Sequence, residues 1–63
     1  MPIMLVHILE GRTDEQKEAF IEALTDAAES SLGAPRASVR VLLQEMPKQN
    51  FGIGGASAKK LGR

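Results

Sequence analysis

Hydrophobic positions near the start of the chain follow the pattern of a buried strand. Residues 3–9, IMLVHIL, are apolar except for His7, and three of them are β-branched. A short apolar run of this kind favours a strand that is covered on both faces. Because side chains alternate along a strand, two faces are predicted, one with Ile3, Leu5, His7 and Leu9 and the other with Met4, Val6 and Ile8. A short loop, residues 10–12, follows.

The next segment, residues 14–32, carries the pattern of an amphipathic helix. Thr13 and Gln16 fit a capping box, in which each side chain accepts a hydrogen bond from the backbone N–H of the other residue. Gly33 stands where a C-terminal cap is expected, and Pro35 cannot continue the helix. Apolar and small residues recur at helical spacing on one predicted face: Phe20, Ile21, Leu24, Ala27, Ala28, Ser31 and Leu32.

A second strand is predicted over residues 39–45, ended by Pro47, which cannot donate to a sheet ladder. Strand, helix and strand form a β-α-β unit, whose two strands are parallel and joined by a right-handed crossover. The glycine-rich residues 51–55 indicate a tight hairpin, and residues 56–61 a short helical turn. The expected fold is α/β, as a single domain over residues 1–63.

This predicted fold leaves one sheet face uncovered, because a single helix shields only one side of the two strands. Parallel sheets are normally covered on both faces. The chain has 63 residues, no cysteine and one histidine, so disulfides and a protein zinc site are not expected to stabilise it. Oligomerisation is the remaining common means for so small a domain. We therefore expect copies of the chain to pack sheet against sheet, and a stable monomer would contradict this interpretation.

Charge is balanced over the chain but divided between its halves. Eight basic and eight acidic residues give zero net charge, with net −5 in residues 1–32 and net +5 in residues 33–63. Zero net charge argues against nucleic-acid binding, which usually requires a basic excess. No apolar run approaches the roughly 18 residues of a membrane span. The first residues also lack the basic region and cleavage site of a secretory signal, so we expect a cytoplasmic protein.

Pro2 is a candidate catalytic residue, because removal of Met1 would expose its secondary amine. A free amine can act as a general base, and nearby cations such as Arg12 and Arg40 would lower its pKa. Each residue also has an ordinary interpretation: Pro follows Met in many proteins, Arg12 could be solvated, and Arg40 could protect a sheet edge. Phe51 before the glycine run could equally belong to a core or an interface.

The order and spacing of several fragments change that balance. Together they resemble the 4-oxalocrotonate tautomerase (2-hydroxymuconate tautomerase) family of the tautomerase superfamily along essentially the whole chain. The matching stretches are Pro2-Ile3, residues 7–12 (HILEGR), residues 14–17 (DEQK), residues 38–41 (SVRV), residues 45–48 (EMPK) and residues 51–55 (FGIGG).

The resemblance implies a homohexamer, a trimer of dimers, whose active sites draw on more than one subunit. It implies that Pro2 is the general base, moving a proton from the 2-hydroxyl of a dienol to C5 to give the conjugated ketone. Arg40 would contact the 2-oxygen and the near carboxylate of a 2-hydroxymuconate-like substrate, and Arg12 the distal carboxylate. Phe51 and Leu9 would form apolar walls. No cofactor or metal is expected.

Two alternatives stay open at this point. The same residues could serve a related proline-dependent reaction, either hydration and dehalogenation of a haloacrylate or a biosynthetic tautomerisation. If Met1 is retained, the chain could instead be a non-catalytic assembly module. His7 is interpreted as a hydrogen-bonded core or interface residue, because no Asp or Cys accompanies it, and Ser38 receives no role.

Overall fold

The computed structural model describes residues 1–63 and has the predicted β-α-β architecture. Two parallel strands, β1 and β2, pair so that Ile3 lies opposite Arg40 and Leu9 opposite Met46. The hairpin β3–β4 is antiparallel. In chain order the elements are β1 (Ile3–Leu9), α1 (Asp14–Leu32), a 3₁₀ turn (Arg36–Ser38), β2 (Arg40–Met46), a second 3₁₀ turn (Lys48–Asn50), β3 (Gly52–Ile53) and β4 (Ala56–Ser57).

Both predicted caps of α1 are present. The Gln16 backbone N–H donates to the Thr13 hydroxyl at 3.1 Å, and the Thr13 N–H donates to the Gln16 side-chain oxygen at 2.9 Å. At the other end Gly33 adopts a left-handed conformation, φ 68°, and its N–H donates to the Glu29 carbonyl at 3.1 Å. The helix bounds therefore follow from local sequence signals, as predicted.

The second strand begins one residue later than predicted and extends to Met46. The cause is the 3₁₀ turn before it, in which the Val39 N–H donates to the Arg36 carbonyl at 3.2 Å. The Arg36 guanidinium in this turn lies 2.7 Å from Asp26 and 3.2 Å from Glu29. These ion pairs tie the turn back to α1 and raise the pKa of Arg36, chiefly through the hydrogen bond to Asp26.

Near the end of the chain, residues 56 and 57 form β4, which corrects the first part of the predicted helical turn over residues 56–61. Residues 58–62 do form a final turn, in which the Leu61 N–H donates to the Ser57 carbonyl at 3.0 Å. Residues 56 and 57 pair with β3, so that Gly52 lies opposite Ser57 and Ile53 opposite Ala56. Gly54 and Gly55 form the hairpin turn with positive φ angles of 59° and 92°. Two consecutive positions of this kind require glycine, because other residues rarely adopt them.

The helix face that meets the sheet is narrower than the predicted stripe. Ile21 and Leu24 are half-buried and Ala28 is buried, whereas Leu32 is 69% exposed. A two-stranded sheet offers little width, since neighbouring strands are only about 4.8 Å apart. It therefore covers one row of helical positions and leaves the outer part of the stripe open. None of the helices combines the length and apolar character that a membrane crossing requires.

The opposite sheet face is apolar and open. Ile3, Leu5 and Leu42 are 53%, 70% and 50% exposed there. The accessible surface is 4669 Å², against about 4,000 Å² expected for a compact monomer of this mass. The radius of gyration is 14.6 Å, against about 11 Å for a compact domain of this length. A single chain therefore exposes apolar surface that a stable domain would cover.

Candidate active site

The predicted site residues form two groups at opposite ends of the sheet. Pro2 precedes β1 and Arg40 begins β2, and the Arg40 backbone N–H donates to the Pro2 carbonyl at 3.0 Å. Leu9 ends β1, and Arg12 lies in the loop that follows. A strand of seven residues spans about 20 Å between its first and last residue. One chain therefore does not bring these four residues together, and a site that uses them all must combine different copies.

The first group lies at the amino ends of the strands. Pro2 is half-buried, and the Met1 side chain beyond it is 69% exposed. While Met1 is attached, the Pro2 nitrogen is a tertiary amide with no basic lone pair. Removal of Met1 would convert the Pro2 nitrogen into a secondary amine, which can act as a base.

Arg40 holds its guanidinium against the preceding turn. Its Nη1 donates to the carbonyl oxygens of Ala37 at 2.7 Å and Val39 at 3.4 Å. Its Nε and Nη2 form no hydrogen bond within the chain. Two neighbouring N–H donors of arginine match the two oxygens of a carboxylate. The contacts of Nη1 thus orient the Arg40 guanidinium, and its Nε and Nη2 donors are left for an anionic ligand.

The second group lies in a groove of about 390 Å³ between the end of β1 and the first turns of α1. Its lining combines apolar walls with two cations and one amide: Ile8, Leu9, Arg12, Gln16, Lys17 and Phe20. A groove of this size suits a small organic molecule. The helical residues of this group were not predicted, although Gln16, Lys17 and Phe20 share one helix face that continues from the cap at Thr13.

The two cations of the groove differ in their partners. The Lys17 ammonium donates to Glu45 at 2.9 Å and lies 3.5 Å from Asp14. The hydrogen bond to Glu45 is the main cause that raises the pKa of Lys17. Arg12 is exposed and has no ion pair within the chain. Arg12 is therefore the uncompensated positive charge of the groove, and a ligand with a carboxylate and an apolar body fits this combination.

Phe51 is not part of that groove. It follows the 3₁₀ turn Lys48–Asn50 and is 40% exposed. Its backbone is held on both sides, with its N–H donating to the Lys48 carbonyl at 3.4 Å and its carbonyl accepting from Ala58 N–H at 2.7 Å. A role of Phe51 as a wall of the active site therefore depends on how copies assemble.

No cluster of three or more His, Cys, Asp or Glu side chains that could hold a metal ion is present. His7 lies on the open sheet face, in register with Gln44 on β2. No hydrogen bond joins the His7 side chain to another group of the chain, so nothing within the chain orients it for acid–base chemistry.

Comparison with known proteins agrees with this fold over its whole length. The sequence matches the family of tautomerase enzymes over residues 2–61. A 2-hydroxymuconate tautomerase of Stutzerimonas stutzeri is 60% identical over 63 residues, which are all of both chains. A structure of 4-oxalocrotonate tautomerase isozymes from Methylibium petroleiphilum is 52% identical and superimposes with a TM-score of 0.92, covering 98% of this chain and 100% of that one. A heterohexamer 4-oxalocrotonate tautomerase from Chloroflexus aurantiacus is 38% identical, with a TM-score of 0.90 and coverage of 97% and 98%.

A β-α-β subunit with paired parallel strands and these full-length matches define a tautomerase, and the chain belongs to the tautomerase family. Within that family it is an isomerase of the 4-oxalocrotonate tautomerase, or 2-hydroxymuconate tautomerase, type. The resemblance predicted from the sequence fragments is thereby confirmed.

Proposed function

We propose that this enzyme ketonises 2-hydroxymuconate or a closely related 2-hydroxy-dienoate, with the amine of Pro2 as general base after removal of Met1. The observation that carries this proposal is the backbone hydrogen bond of 3.0 Å between Arg40 and Pro2. This bond places the Arg40 backbone next to Pro2, at the end of the sheet where the amine would form. The names of the relatives, which are 2-hydroxymuconate and 4-oxalocrotonate tautomerases, support the same substrate class.

The reaction is a proton transfer in two steps. The neutral amine takes the proton of the 2-hydroxyl group, and the electron pair of that O–H bond becomes part of the new carbonyl group. The diene electrons shift toward C5, which takes the proton back from the prolinium ion. Arg40 would stabilise negative charge on the 2-oxygen, where preorganised donors are most effective. No net oxidation occurs and no further reactant is consumed.

We assign substrate positioning to the groove at the other end of the sheet, contributed by a different copy of the chain from the one that supplies Pro2. Arg12 would bind the distal carboxylate through two parallel N–H donors, a geometry that lysine cannot reproduce. Leu9, and in the assembled enzyme Phe51, would form the apolar walls. An apolar environment disfavours the protonated amine and so lowers the pKa of the base.

The assembly proposed is a homohexamer, a trimer of dimers. The open face with Ile3, Leu5 and Leu42 supports association of copies. The distance of about 20 Å between the Pro2 and Arg12 ends of one strand supports a site shared between copies. A cytoplasmic location stays a prediction.

An amino-terminal extension tests the base. A variant with one glycine inserted before Pro2 keeps every side chain but converts the proline nitrogen into an amide. We expect this variant to assemble normally, by native mass spectrometry, and to ketonise 2-hydroxymuconate no faster than buffer. Full activity of the extended chain would contradict the role of Pro2. A parallel assay with 3-haloacrylates separates the tautomerase from a hydratase or dehalogenase.

A further inference from the structure

A pair of hydrogen bonds joins the loop that carries Arg12 to the segment that carries Phe51. The Glu10 backbone N–H donates to the Met46 carbonyl at 2.9 Å. The Glu10 carboxylate, through Oε1, accepts from the Lys48 backbone N–H at 3.2 Å. Glu10 therefore holds the segment after β2 through its backbone and its side chain together.

The peptide groups of Lys48 connect this contact to Phe51. The Lys48 carbonyl accepts from the N–H groups of Phe51 at 3.4 Å and Lys59 at 3.3 Å. The Phe51 carbonyl in turn accepts from Ala58 at 2.7 Å. Fixing Lys48 thus fixes the turn from which Phe51 extends and the start of the final turn of the chain.

A negative charge at Glu10 is unexpected so close to Arg12. It lies two residues before Arg12, in the loop proposed to receive the distal carboxylate of a dianionic substrate. A free carboxylate there would repel that substrate. The Lys48 N–H supplies a reason for the residue, because a hydrogen bond from a backbone N–H to a carboxylate is charge-assisted and stronger than a neutral one.

We propose that Glu10 is a positioning residue, whose carboxylate fixes the Lys48–Phe51 turn relative to the loop of Arg12. Through this contact it would set how Arg12 and Phe51 are placed for the substrate. The proposal rests on the substrate class proposed above. It assigns Glu10 no contact with the reacting atoms. Its effect is expected in substrate binding more than in the proton transfer.

Two substitutions distinguish the effect of the length of the Glu10 side chain from that of its charge, and Glu10→Ala removes both. Glu10→Gln keeps the length and an acceptor oxygen but removes the charge, whereas Glu10→Asp keeps the charge on a side chain one methylene shorter. We expect KM for 2-hydroxymuconate to rise roughly five- to tenfold in Glu10→Asp and Glu10→Ala, and by no more than about threefold in Glu10→Gln, because only Gln can still accept from Lys48. In all three variants kcat should change less than KM.

The matched control is Glu18→Gln, because the Glu18 side chain is exposed on α1 and forms no hydrogen bond or ion pair. It should keep the kinetics of the unmodified enzyme. The proposal is overturned if Glu10→Asp matches the unmodified enzyme while Glu10→Gln changes KM, since that order would mean that charge alone matters.

A measurement independent of activity is the hydrogen exchange of the Lys48 amide, followed by NMR on the assembled protein. We expect exchange to be faster by roughly tenfold in Glu10→Asp and Glu10→Ala and nearly unchanged in Glu10→Gln. Unchanged protection in Glu10→Asp overturns the contact. If the unmodified enzyme does not ketonise 2-hydroxymuconate, the proposed substrate fails, whereas the exchange rates still decide for or against the Glu10 contact.

Discussion

Leu5 is the residue whose replacement should disturb assembly most. It lies in the middle of the open sheet face and is 70% exposed, and Leu42 lies opposite to it on β2. Complete burial of a leucine stabilises by about 1.5–3 kcal/mol, so covering the exposed part of Leu5 is worth about 1–2 kcal/mol for each chain. Including the similar exposure of Ile3 and Leu42, complete coverage of the face would contribute about 3–5 kcal/mol for each chain.

Leu5→Lys removes the Leu5 share and places an ammonium group between packed sheets, where an unpaired charge costs several kcal/mol more. Because about 1.4 kcal/mol corresponds to a factor of ten in an equilibrium constant, the dissociation constant of the interface between two copies should rise at least tenfold. Native mass spectrometry and sedimentation over a range of chain concentrations measure this directly. We expect smaller species for the variant at concentrations where the unmodified protein is fully assembled.

Leu32→Lys is the matched control, because Leu32 is 69% exposed but lies at the end of α1, away from the sheet face. A cation there is compatible with the helix dipole. This variant should assemble like the unmodified protein. If Leu5→Lys assembles with unchanged mass and concentration dependence, the open face is not the interface between copies and the reasoning from exposed area is wrong.

Three further predictions concern the site and the helix. Arg12→Ala should raise KM for dicarboxylates roughly 10- to 100-fold, with a smaller effect on kcat. Arg40→Ala should lower kcat on the order of 100-fold. Equal steady-state kinetics for Arg40→Ala and the unmodified enzyme would exclude stabilisation of the 2-oxygen by Arg40. Thr13→Ala removes the helix cap and should lower the free energy of unfolding by about 1 kcal/mol, measured by urea unfolding at fixed chain concentration, and no change would contradict the capping argument. The raised pKa of Lys17, caused mainly by its hydrogen bond to Glu45, means that this pair stabilises fully below the ordinary lysine pKa and is lost as pH rises through the raised value. The difference in Tm between Lys17→Met and the unmodified protein should therefore shrink as pH rises above about 10, and a difference that grows would refute the assignment.

The elements that could be predicted are those whose signals are local. The bounds of β1 and α1 follow from an apolar run, a capping box and a glycine at the helix end, all of which act within a few residues. The predicted start of β2 differs from the observed one by one residue, because a 3₁₀ turn precedes the strand. This turn contains Arg36, whose ion-pair partners Asp26 and Glu29 lie on the preceding helix and therefore several residues away in sequence.

The candidate site depended more on long-range contacts. Pattern alone indicated Pro2, Arg12 and Arg40 only weakly, and the family resemblance gave them roles. These residues lie at two ends of the sheet because of the parallel register of β1 and β2, and no single residue type predicts that register. The contact of Glu10 with Lys48 spans 38 residues and joins a side chain to a backbone group, so residue patterns carry no signal for it.

The most direct test of the proposed function is the rate of 2-hydroxymuconate ketonisation from about pH 5 to 9, the range in which a tuned amine should titrate. The intact mass of the same sample shows whether Met1 has been removed. With Met1 absent, we predict a fast reaction whose rate rises through one ionisation near neutral pH, as the Pro2 amine loses its proton. A rate no greater than that in buffer from a sample without Met1, or a fast rate from a sample that retains it, would contradict the account.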